Sequence, residues 1–143
     1  MELLVVIFLI SSLGTGLYTM GRGLESCYHR LQLEQGARQL ALIVGELQHQ
    51  AMVYEQGAFG YFIVKNNKQG FDYYEGTQLK SSVDLQNCGS VYIASGPRKM
   101  QFTTSGTPLY NGTYILKHPK VKKWSYQVVV QPVTGRVLLN EGS

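Results

Sequence analysis

At 143 residues the chain has room for one domain and an anchoring segment, not for two full domains. Thirteen Lys and Arg against nine Asp and Glu leave a formal charge of +4, too shallow for a dedicated, densely charged nucleic-acid binder. Only two cysteines occur, Cys27 and Cys88, and their spacing argues against zinc and thioredoxin-type redox sites.

The chain opens "MELLVVIFLISS", and no side chain from Leu3 to Gly21 is charged; Arg22 ends the run. In a helix those roughly nineteen residues rise about 28 Å, close to the ~30 Å hydrocarbon thickness of a bilayer. A secretory signal peptide fits poorly, because the one early charge is the carboxylate of Glu2 rather than a Lys or Arg. A plain transmembrane anchor fits the length but leaves Glu2 unexplained. A carboxylate drawn into lipid costs on the order of a few kcal/mol and needs a compensating partner.

Helical spacing continues past Arg22. Leu24, Tyr28 and Leu31, then Ala37, Leu40, Val44, Leu47, Ala51 and Tyr54 recur as one apolar face, with Glu25, Arg30, Glu34, Arg38, Glu46 and Glu55 between them. Glu34 and Arg38 form an i, i+4 pair with the acid first. Gly36 and Gly45 weaken the helix locally, and Gly57 is the stop signal that follows Gln56. The pattern predicts one long helix, apolar all round in residues 1–23 and amphipathic over 24–56.

From residue 58 the texture changes to short stretches rich in Tyr, Phe, Val, Ile and Thr. "AFGYFIVK", "SVYIAS", "KMQFTT", "GTYILKH", "WSYQVVVQ" and "GRVLLNE" are separated by Gly, Pro and Asn. Asn111-Gly112, between "TPLY" and "TYILK", predicts a tight hairpin, and "PVTG" joins the last two strands. The expected fold is α+β: one long N-terminal helix packed on an antiparallel β domain spanning 58–143, so that 24–143 forms a single domain beyond the 1–23 segment.

"ELLVVIFLI" resembles the N-terminal segment of type IV pilins and type II secretion pseudopilins, in which a Gly-Phe-Thr-Leu-x stretch precedes Glu-Leu-Leu-Val-Val. The resemblance implies that Met1 stands at the variable position before the glutamate, an internal methionine with leader and first mature residues upstream. "MQFTTSGTPLYNGTYIL" with "YQVVVQPVTGRVLL" is similar to the GspH/FimT group of minor pseudopilins and to minor competence pilins, which carry a Gly-Arg just inside the last strand. The likeness implies a single-pass protein of the bacterial inner membrane with its domain outside the cytoplasm. Its implied partners are other pilin or pseudopilin subunits, a prepilin peptidase and the inner-membrane assembly platform. Glu2 is then an assembly residue that pairs with the free N-terminal amine of a neighbouring subunit, two charges tolerable in lipid only together.

No catalytic or cofactor-binding constellation is evident. His29, His49 and His118 are scattered, and the first two lie about 30 Å apart along the helix. Asp72, Glu75 and Asp84 read as solvated carboxylates among polar turns, and Asn111-Gly112-Thr113 matches a glycan sequon that turn chemistry already explains. Cys27 and Cys88 are candidates for one disulfide, with two separate thiols as the alternative. "LKHPKVKKWSY" gathers Lys117, Lys120, Lys122 and Lys123 with Trp124, a set suited to DNA phosphates and a stacked base. The same lysines would equally serve a solvated loop that deters edge pairing. Three functions stay open: a minor pilin or pseudopilin that primes or caps a fibre, a DNA-binding minor pilin, and a membrane-anchored β domain unrelated to fibres.

Overall fold

The computed structural model describes residues 2–53, 60–110 and 112–142, the side chains at 2, 86 and 87 excepted. The carboxylate of Glu2, Tyr54, the Gln56-Gly57 stop and Asn111 therefore lie outside the described residues.

A single 52-residue helix, α1 (Glu2–Val53), runs without interruption from the apolar segment into the domain. All four prolines lie beyond Gly96, so nothing in α1 removes a backbone donor or forces a kink. Residues 3–28 are exposed along their whole length, and this stretch is long and apolar enough to cross a membrane. The domain begins to cover the helix only at His29 and Leu33. From there Leu33, Ala37, Leu40, Val44, Leu47 and Ala51 form a fully covered stripe at spacings of four and three. Each Leu and Val of that stripe contributes ~1.5–3 kcal/mol by leaving water. The expected start of the stripe at Leu24 is corrected by the structure: Leu24, Tyr28 and Leu31 are 70%, 58% and 52% exposed.

Among the described residues eight strands follow: β1 (Gly60–Val64), β2 (Gly70–Glu75), β3 (Gln78–Asp84), β4 (Tyr92–Ser95), β5 (Lys99–Gln101), β6 (Gly112–Lys117), β7 (Ser125–Val130) and β8 (Val137–Gly142). They build two antiparallel four-stranded sheets, ordered β3-β2-β1-β5 and β4-β6-β7-β8. The fold is α+β, one long helix on two sheets. Alternation along β7 sends Tyr126, Val128 and Val130 inward, and Tyr114 and Leu116 of β6 join them. Phe62 of β1 meets Phe71 of β2 and Tyr114 of β6, which joins the two sheets under the helix stripe. Gly36, expected only to weaken the helix, is buried where a β-carbon would press on Val91 at 3.1 Å. It lets α1 lie close to the segment before β4.

Residues 107–110 do not pair with β6, as the predicted Asn111-Gly112 hairpin requires. β6 has β4 on one side and β7 on the other, which leaves no free edge for residues 107–110. Pro108 instead bridges back to Phe102, and the turn closes through Thr103 and Thr107. Two strands were not anticipated, β2 and β3, and they absorb the carboxylates expected in turns. Asp72 accepts from Ser82 and lies 3.8 Å from Lys65, Asp84 pairs with Lys65, and Glu75 pairs with Lys80 at 3.2 Å.

Candidate functional site

The charged cluster singled out in the sequence is the β6–β7 loop, residues 118–124, and it lies against the first covered turns of α1. Two consecutive turns shape it. Val121 N–H donates to the carbonyl of His118, and Trp124 N–H donates to the carbonyl of Val121. The loop thereby alternates: His118 and Val121 are buried, whereas Lys120, Lys122 and Lys123 point to solvent. Lys117, at the end of β6, is partly covered.

Three contacts fasten this loop to the helix. Lys120 Nζ donates to Glu25 Oε1 at 2.9 Å. The His118 ring stacks on that of His29, with centroids 4.5 Å apart and planes inclined by 23°. Trp124 lies under the guanidinium of Arg30, 4.0 Å from ring centroid to carbon, and Arg30 in turn donates to Glu141 of β8 at 2.6 Å. His29 is oriented from its own helix, with Nδ1 3.0 Å from Gln32 Oε1 and Nε2 3.4 Å from Glu25 Oε1. The histidines that looked scattered in the sequence thus include one stacked pair. Burial holds the His118 imidazole below the usual histidine range, and the neighbouring His29 and Lys120 push in the same direction. His118 is accordingly neutral near pH 7, and its Nδ1 accepts from the Lys120 N–H at 3.2 Å.

Of the residues proposed for DNA contact, the structure keeps Lys122 and Lys123 exposed without an ion pair among the described residues. It engages Lys120 with Glu25 and covers one face of Trp124. Below the loop, Arg22, Glu25, Ser26, His29 and Lys120 line an open cleft, and Ser26 also borders a second hollow under Pro119 to Trp124.

The disulfide weighed for Cys27 and Cys88 is not made. Cys27 is exposed on α1, and Cys88 is buried in the short helical turn Leu85–Cys88, where its thiol donates to Gln39 at 3.5 Å. Twelve helical residues separate Cys27 from Gln39, about 18 Å of rise, against a Cα separation under ~7 Å for a bridge. Burial pushes the Cys88 thiol up, which leaves it poorly nucleophilic.

A second anchoring point sits near the other end of the covered helix. Gln48 Nε2 donates to the carbonyls of Gly106 and Thr134, at 2.9 and 3.2 Å. Gly135 and Arg136, expected just inside the last strand, belong to the loop before β8. Gly135 is buried there at φ +66°, where a β-carbon would collide with the Gly106 carbonyl. Nothing in the sequence pointed to Gln48, because its partners lie 58 and 86 residues away.

Comparison with family models, with curated proteins and with solved structures finds no match to this chain.

Proposed function

We propose that this chain is a fibre subunit of the minor pilin or pseudopilin kind, held in a membrane by residues 3–21 until it is assembled with other subunits. The observation that carries the proposal is the single unbroken helix, half uncovered apolar rod and half domain core. A plain anchor needs only enough apolar residues to cross the bilayer. Here the uncovered apolar surface goes on beyond Arg22, through Leu24, Tyr28 and Leu31, and recurs at Leu42, which is 75% exposed. Lipid does not reach Leu31 or Leu42, about 15 Å and more above Gly21, and neighbouring helices of the same kind would cover them. In this reading Glu2 sets the register by pairing with the terminal amine of an adjacent subunit, and the β domain occupies the outside of the fibre.

The test is Glu2→Ala. The variant is expected to remain in the membrane fraction and to disappear from sheared fibres. Recovery of Glu2→Ala in fibres at the wild-type level overturns the register role. DNA capture by the basic loop is less well supported, since Trp124 and Lys120 are both engaged by the helix.

A further inference from the structure

We infer that the β6–β7 loop and the helix turns beneath it form a seat for the phosphate of an anionic lipid headgroup. The inference rests on the reading of residues 3–21 as membrane-embedded.

Height is the first reason. If the apolar run ends at Gly21, Glu25 stands about 6 Å above the hydrocarbon boundary. The headgroup layer on each side is itself roughly 5–8 Å deep. Lys120 is fixed at that level by its bond to Glu25, and Ser26 lines the hollow that Lys122 and Lys123 share. Arg22 lies one turn lower in the adjoining cleft.

Charge is the second reason. Arg22 and Lys120 share one cleft with a single carboxylate, Glu25, and Lys120, Lys122 and Lys123 line the adjoining hollow, so the excess at the boundary is positive. The rest of the chain carries little of it, because the net charge of the whole protein is only +4. Tyr18, exposed one turn below Arg22, lies in the same zone, where its apolar ring and polar tip suit a membrane interface. A cationic loop pinned at headgroup height, on the side where the span ends, matches the negative surface of an anionic leaflet.

Trp124 is the only tryptophan, so the chain carries its own reporter in the loop. The full chain is placed in nanodiscs of phosphatidylcholine alone or with a third phosphatidylglycerol, each holding a trace of headgroup nitroxide. Quenching of Trp124 is expected to be stronger in the phosphatidylglycerol discs at low salt and to converge on the neutral value as salt rises. In Lys122→Gln/Lys123→Gln the preference is expected to fall about fivefold per lysine removed, with unquenched emission unchanged. Arg22→Gln, outside the loop, is expected to weaken it as well. Quenching indifferent to phosphatidylglycerol overturns the seat. So does salt-sensitive binding of a single-stranded oligonucleotide in neutral discs without a lipid effect, which assigns the lysines to nucleic acid. A chain that does not co-elute with lipid removes the membrane reading itself, a failure distinct from the other two.

Discussion

Deleting residues 1–23 is expected to yield a soluble, monomeric α+β domain with nearly the stability of the whole chain. Twelve large apolar side chains between Leu3 and Met20 are at least half exposed, and the domain covers none of them. At ~1.5 kcal/mol each for leaving water, the segment holds on the order of 18 kcal/mol of transfer free energy that the domain does not supply. Removing it takes nothing from the core, whose first helical member is Leu33. The Lys120–Glu25 and Trp124–Arg30 contacts stay intact, because both helix partners follow the cut. A chain beginning at Leu24 should elute as a monomer by light scattering and melt in one cooperative step. Its Tm should match that of the full chain in detergent to within a few degrees, as expected for a change of ~1 kcal/mol in a domain of this size. Aggregation, or a non-cooperative melt, would refute the division between rod and domain.

Tyr114→Phe should raise the Tm of the same fragment by a few degrees. Its hydroxyl is buried without a hydrogen-bond partner among the described residues, and such a group costs ~1–3 kcal/mol. Gly135→Ala should destabilise by ~2 kcal/mol or more in denaturant unfolding, since it strains φ +66° and drives a methyl into the Gly106 carbonyl. Acidification should weaken the domain through His118: its folded pKa is lowered, so the unfolded chain binds the proton first. The stability this contributes is present above about pH 6.5 and lost as pH falls below it. His118→Gln should flatten that part of the Tm–pH curve, and an unchanged slope would assign it to other groups.

The helix and six of the eight strands are legible in the sequence, because each carries either a periodic apolar face or a β-branched and aromatic run. The stripe failed at one joint. Leu24, Tyr28 and Leu31 keep helical spacing, and so do Ala37, Leu40 and Val44, but six residues separate Leu31 from Ala37. Six residues turn a helix by about 600°, so the two sets lie roughly 120° apart on different faces. Only the second faces the sheets. β2 and β3 escaped notice for a different reason: β3 is an edge strand exposed along nearly its whole length, so its Gln, Lys and Ser residues face water and no alternation develops. The basic loop was visible, but not its docking. Glu25 and Lys120 are 95 residues apart, and no local pattern records a contact made by sheet topology.

The two fastenings of α1 have a geometric consequence when taken together. Arg30 is fixed by Trp124, the last loop residue before β7, and Gln48 is fixed by Thr134 in the loop that follows β7. Strand and connecting loop thus measure off eighteen helical residues, about 27 Å of axis. Sliding the helix by one turn, or rotating it by one residue, would break both fastenings at once. The sheets therefore ride at one fixed stand-off above the apolar run and face one fixed compass direction around it. Copies of this chain set side by side at the same depth would present their sheets level and in phase, with no adjustable joint between the apolar shaft and the folded head.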